Sequence, residues 1–364
     1  MLLFLAGLAA GMLVARNRWP PYAELDRLHD RYLVERAEFG PTPRTLLDTD
    51  PRTLIAFRSA DDVDRRRGEL VRFLWGGDAL PAGPPQTIER GYRDERFEGL
   101  PNLARVDRLT TRLDFGLRSI GYHYLPRRGN GAAIIYHHGH TVAGARDQAR
   151  IGRLLGEGYA VVELFMLLYP PNNRPRVELP RVGWFHLTQH EHLALLAPAA
   201  GHPIGYLVEP AIRAVNHLEP RYRRIAIMGY SGGGWTAMMV GAADRRVRSS
   251  FIVASVYPYF LMSGSHRVEH FEGFEPALYR LATQLELMAM AGSGDGRQAL
   301  QILNRFDPCC YGGRRAETYA PAVRAAVRAL GPGDFTVMLD ERAREHDISD
   351  AGMDLIMARL ARMR

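Results

Sequence analysis

From Pro126 to the C-terminus the chain repeats one rhythm: a short apolar run, a turn, then a stretch with apolar residues at helical spacing. The apolar runs are "GAAIIYHHGH", "YAVVELFML", "RRIAIMG", "VRSSFIVASV", "ALQILNRF" and "DFTVMLD". Among and after them come "ARDQARIGRLLGEG", "YLVEPAIRAVNHL", "GGWTAMMVGAADR", "YAPAVRAAVRALG" and "DAGMDLIMARLARM". Strands this apolar need cover on both faces, and alternating amphipathic helices provide it. The pattern therefore predicts an α/β fold with a mostly parallel sheet and helices on both faces. The stretch before it, "TIERGYRDERFEG" through "LTTRLDFGLRSIGYHYLP", alternates as antiparallel strands do. Ligands of such sheets bind beyond the carboxyl ends of the strands, so the residues just after each apolar run matter most.

One such junction is "RRIAIMGYSGGGWTAMM", residues 223–239. Glycine weakens both strand and helix, so three in a row between them imply a sharp turn that something approaches closely. Gly229-Tyr230-Ser231-Gly232-Gly233 fits G-x-S-x-G, and its strand-to-helix setting predicts an elbow that lifts the Ser231 hydroxyl above the sheet. A phosphate-binding turn is the alternative, but the chain lacks G-x-x-x-x-G-K-[ST] and contains no lysine at all.

A serine hydroxyl needs a base, and the base an orienting acid. His346 lies in the polar loop "LDERAREHDIS", after the last strand and before the final helix. Asp307 closes "QILNRFDPCC" after the preceding strand, and is the expected acid. Asp295 in "GSGDGR" and Asp340 at the end of the last strand are the fallbacks. The Gly232 amide is one expected oxyanion donor. The amide of His140 or Thr141, in "YHHGHTVAG", is the other.

The cluster of His137, His138 and His140 has no carboxylate beside it in sequence, so a structural or oxyanion-loop role is expected rather than a metal site. In "WFHLTQHEHLALL", His186 and His190 have the i, i+4 spacing of a helical chelate, but a pocket wall or solvated face is the reading preferred. No metal and no cofactor is expected. Cys309 and Cys310, the only cysteines, are expected to be two small half-buried residues, with a vicinal disulfide as the sharper alternative.

Taken together, residues 87–364 resemble the α/β-hydrolase superfamily, through the Ser-Asp-His order, the elbow "GYSGGGWTA", the histidine-glycine loop and the acid-bearing "ALQILNRFDPCC". The resemblance implies a mostly parallel sheet of about eight strands, and ester or amide hydrolysis without a cofactor through Ser231, Asp307 and His346. A carboxylic ester, small or polysaccharide-linked, is the expected substrate. A peptidase or amidase of the same fold, or a silent binding protein on it, are the alternatives. The excursion after "VVELFML", residues 169–205, is expected to help cap the pocket.

Residues 19–86 form a helical extension in this reading, with "YAELDRLHDRYLVERAEF" and "RRRGELVRFLWGG" as its helices. Ahead of it, "MLLFLAGLAAGMLVA" would span about 22 Å as a helix, short of a hydrocarbon core of about 30 Å. A membrane anchor, a signal-like segment and a buried helix all stay open for residues 1–18. If the segment anchors the chain, Arg16 and Arg18 favour a cytoplasmic main domain. A periplasmic or secreted domain is the other placement. The formal charge of +7 comes from arginines scattered among acids, as in "ADDVDRRRGE", without the stripe or motif of a nucleic-acid binder.

Overall fold

The computed structural model describes residues 39–262 and 270–362, together with isolated positions between Gly7 and Tyr32. The apolar run and the helix expected over residues 22–39 fall outside the described residues, save those isolated positions. Among the described residues, no helix is long and apolar enough to cross a membrane.

The strands, in chain order, are β1 (Thr87–Glu89), β2 (Leu103–Arg112), β3 (Arg118–Pro126), β4 (Ala132–His137), β5 (Ala160–Leu164), β6 (Arg176–Leu179), β7 (Gly183–His186), β8 (Arg224–Tyr230), β9 (Val247–Val253), β10 (Gln298–Asn304) and β11 (Asp334–Asp340). Nine of them make one sheet in the order β1-β2-β3-β5-β4-β8-β9-β10-β11, and β6 pairs with β7 separately. The pairs β1/β2, β2/β3 and β3/β5 are antiparallel, and every pair from β5 to β11 is parallel. The strand beyond the expected eight is the three-residue β1 at the edge.

The helices are α1 (Ala60–Trp75), α2 (Ala145–Gly156), α3 (Gly205–Leu218), α4 (Gly232–Ala243), α5 (Phe271–Phe274), α6 (Pro276–Leu281), α7 (Gln284–Gly292), α8 (Ala316–Ala329) and α9 (Asp350–Arg362). Successive side chains of a strand point to opposite faces, and β4 shows what this does here. Ala133 and Ile135 join the core shared with α3, α4, α7 and α8. Ile134 and Tyr136 join the core under α2 and α9, with Ile151, Leu154, Met353 and Ile356. The absence of polar alternation in the apolar runs follows from this double cover.

Helix α1 is built from local signals. Ser59 Oγ accepts from the Asp62 amide at 3.2 Å and Asp62 Oδ2 accepts from the Ser59 amide at 3.1 Å, a reciprocal cap. Gly76, at φ 75°, ends the helix. Val63, Leu70 and Leu74 then pack into the same core as α4. Arg67 is buried with them, and its guanidinium donates to the carbonyls of Ala242 (2.8 Å) and Met290 (3.2 Å). From the other side, Arg297 donates to the carbonyl of Gly241, and to that of Ser293 at 3.2 Å. Burial lowers these two guanidiniums to about 10 and about 9.

Parallel registry brings the functional residues to one edge. His137 pairs with Gly229, Tyr230 with Val253, and Asn304 with Asp340, so β4, β8, β9, β10 and β11 end side by side. His140, Ser231, Asp307 and His346 each follow one of these ends.

Candidate active site

Ser231 sits between β8 and α4 at φ 55° and ψ −127°, a conformation that non-glycine residues rarely adopt. Its amide donates to the Val253 carbonyl at 3.0 Å, tying the turn to the neighbouring strand. The surrounding glycines answer separate close approaches. A Cβ on Gly229 would strike the carbonyl of Gly233, and one on Gly233 the carbonyls of His137 and His138. On Gly232 it would come within 2.5 Å of the His140 ring, and on Gly234 within 2.6 Å of Ser255 Cβ. The turn is therefore packed against the β4 exit loop on one side and β9 on the other.

Asp307 follows β10 with its side chain fully buried. Its Oδ1 accepts from the amides of Cys309 (2.8 Å) and Cys310 (3.2 Å). Its Oδ2 lies 2.7 Å from His346 Nδ1. A carboxylate held by two amides can only accept, so Nδ1 carries the imidazole proton and Nε2 keeps its lone pair. Ser231, Tyr230, His346, His140 and Thr141 line one cleft of about 470 Å³. A larger cleft of about 580 Å³, beside Tyr92, Phe97 and Val106, contains none of these residues.

The fallback acids are placed elsewhere. Asp340 Oδ1 accepts from the amides of Arg342 and Ala343, and Oδ2 from Ser349 Oγ at 2.7 Å, so it shapes the loop that carries His346. Asp295 is exposed before β10, at the opposite end of that strand. Of the two expected oxyanion amides, that of Thr141 donates to the Gly139 carbonyl at 2.8 Å. Among the described residues, the amides of His140 and Gly232 make no backbone hydrogen bond, the latter as part of the first turn of α4.

The structure also places the other histidines and the two cysteines. His186 and His190 do not share a helix face: His186 ends β7, facing the Arg174 carbonyl at 2.9 Å, and His190 starts a short 3₁₀ turn. Cys309 and Cys310 are joined by a disulfide rather than being two free residues. The histidines after β4 do find carboxylates, though from distant segments. His138 Nε2 is 2.8 Å from Glu163 Oε1, whose other oxygen accepts from Tyr124 at 2.7 Å. His140 Nε2 lies 2.8 Å from Glu272 Oε1, and His190 Nδ1 lies 3.0 Å from Glu272 Oε2. Burial lowers His140 to about 4, so it is neutral. Burial opposes charge on Glu272 and His190 as well, but their attraction prevails, holding the carboxyl low and the imidazole high.

Glu163 had a signal in sequence, a lone acid inside the apolar "YAVVELFML". Glu272 had none: its link to His190 spans 82 residues.

No family model and no curated protein matches the sequence. Among solved structures, the chain is similar to the glucuronoyl esterase of Solibacter usitatus, with a TM-score of 0.58 and 13% identity over 86% of this chain and 98% of that one. It is similar to acetyl xylan esterase 1 of Thermoanaerobacterium sp., with a TM-score of 0.55 and 15% identity over 86% and 97%. It is also similar to the acylaminoacyl peptidase of Pyrococcus horikoshii, with a TM-score of 0.50 and 14% identity over 73% of this chain and 43% of that one. At such identities the likeness speaks to architecture, and it agrees with the strand order and the double helical cover: the chain has the α/β-hydrolase fold.

Proposed function

We propose that the protein is a serine hydrolase that cleaves carboxylic esters through an acyl-enzyme on Ser231. The observation that carries the reading is that His346, paired with the buried Asp307, lines the same cleft as a serine held at positive φ. Ser231 Oγ attacks the acyl carbon as His346 Nε2 takes its proton. The carbonyl electrons pass to oxygen, where the amides of Gly232 and His140 receive the charge. When the intermediate collapses, Nε2–H protonates the departing alkoxide. Water then repeats the sequence on the acyl-enzyme and frees the acid. Asp307 stays ionised throughout, stabilising the imidazolium and fixing its orientation.

An acyl or uronoyl ester carried by a sugar is the substrate class we favour. It is supported by the names of two similar structures, acetyl xylan esterase and glucuronoyl esterase. Thr141, Arg146 and Glu345 on the cleft wall suit hydroxyl-rich leaving groups. An amidase or peptidase on the same residues is the second reading, supported by the likeness to the acylaminoacyl peptidase.

A fluorophosphonate probe should label Ser231 alone, and Ser231→Ala should lose both the label and turnover, the latter by roughly 10⁴-fold or more. Acyl esters of sugars set against aminoacyl amides then divide the two readings. Turnover confined to the amides would reject the esterase assignment, and an unlabelled wild-type protein would reject the serine mechanism.

A further inference from the structure

His140, His190 and Glu272 come from three separate segments: the loop after β4, the excursion after β5, and α5. Their donor atoms converge. His140 Nε2 lies 2.8 Å from Glu272 Oε1 and 3.1 Å from His190 Nδ1, which is 3.0 Å from Glu272 Oε2. The side chains are 10%, 0% and 4% exposed, so water does not separate them.

The other ring nitrogen of His190 fixes what faces this cluster. Nε2 lies 2.8 Å from the Leu167 carbonyl, which can only accept, so Nε2 bears a proton. The remaining nitrogen, Nδ1, faces both the carboxylate and His140, where it carries a second proton in the metal-free protein that a bound cation would replace. Oxygen Oε1 of Glu272, although close to His140 Nε2, has no partner with hydrogen-bond direction among the described residues. A buried carboxylate and two imidazole nitrogens facing one another call for a positive charge between them. Tetrahedral donors about 2.1 Å from zinc lie roughly 3.4 Å apart, so the separations of 2.8, 3.1 and 3.0 Å found here need to open by only a few tenths of an ångström.

We propose that His140, His190 and Glu272 hold one divalent first-row transition metal, with zinc as the first choice. Two imidazoles and a carboxylate suit such a metal better than calcium or magnesium, which prefer oxygen. The Leu167 carbonyl would act as the outer partner that fixes the His190 tautomer. The metal would join the loop beside Gly232 to the excursion and to α5, two elements apart in sequence from it. The inference does not depend on the reaction assigned to Ser231.

The test uses untagged full-length protein, dialysed against a strong chelator and titrated separately with Zn²⁺ and Co²⁺. We expect one equivalent of zinc per chain by elemental analysis, a raised melting temperature, and visible d–d bands from cobalt that zinc abolishes. Glu272→Gln and His190→Gln should each weaken zinc binding by roughly 100-fold or more, beyond what an outer partner contributes. The pair Cys309→Ser with Cys310→Ser should leave the stoichiometry unchanged. Folding of the variants is checked by circular dichroism, and the wild-type titration decides by itself if they do not fold. Wild-type protein that binds neither metal would overturn the proposal and leave a shared proton in the cluster. Binding that survives both Glu272→Gln and His190→Gln would overturn it too. Fluorophosphonate labelling of Ser231, read on the same samples, reports separately on the hydrolase assignment.

Discussion

Gly139 lies so close to Ser231 that a Cβ on it would come within 2.7 Å of Ser231 Cβ and 2.9 Å of the Tyr230 carbonyl oxygen. Neither neighbour is the free end of a flexible chain, so a side chain here must push the elbow or the oxyanion loop aside. Gly139→Ala should lower kcat by about 100-fold, the size expected when reacting groups shift by an ångström or so. Fluorophosphonate labelling kinetics and a melting curve check this. A rate within a few-fold of wild type would show that the loop can give way.

The carboxylates can be separated by experiment. Asp307→Asn should cut kcat by roughly 10⁴-fold, because an amide no longer enforces the imidazole tautomer. Asp295→Asn, at an exposed position on the far end of the strand, should leave kcat unchanged. Asp340→Asn should show a loss of stability ahead of a loss of rate, since its partners are the amides and hydroxyl of the His346 loop. Steady-state kinetics with a chromogenic acetate ester, beside urea midpoints, gives each answer.

Stability should fall on mild acidification. Burial lowers His123 and His137 to about 3, and His217 to about 4. The unfolded chain protonates these groups near pH 6.5. Between pH 6.5 and 4 the unfolded state therefore binds more protons, and its population grows as pH falls. His123 Nδ1 and His217 Nε2 are 3.0 Å apart, so only one can carry the shared proton without strain. Urea midpoints should drop steadily across that window, and His217→Gln should flatten the slope. A flat wild-type profile would contradict the assignment.

Helix α1 offers another test. Arg67→Met keeps the length of the side chain and removes its donors, leaving the buried carbonyl of Ala242 without this bond. The expected cost is about 1–3 kcal/mol, the usual penalty for a buried polar group left unsatisfied. Urea denaturation measures it, and an unchanged midpoint would mean that the carbonyl finds another partner.

What could be read in advance was whatever the chain encodes locally or by order. The apolar runs without polar alternation gave the sheet and its double cover. The glycines around Ser231 gave the turn, and position after a strand picked out Asp307 and His346. Pairings between distant segments were out of reach. Glu272 meets His190 only because α5 folds beneath the excursion, and no periodicity marks it. The i, i+4 spacing of His186 and His190 has no helical meaning, because His186 ends β7 and His190 starts a separate 3₁₀ turn. The adjacent cysteines were ambiguous because their pairing depends on the turn that holds Asp307.

The helix that follows Ser231 finishes among arginines from far along the chain in both directions. Its last carbonyls, at Gly241 and Ala242, face Arg297 and Arg67 in an interior that water does not reach. A fragment trimmed to the sheet and the helices that alternate with it would begin near residue 87 and lack one of these two plugs. A fragment that begins before Ser59 is therefore expected to be more stable than one that begins near residue 87. Expression fragments, domain swaps and circular permutants should all keep that preceding helix.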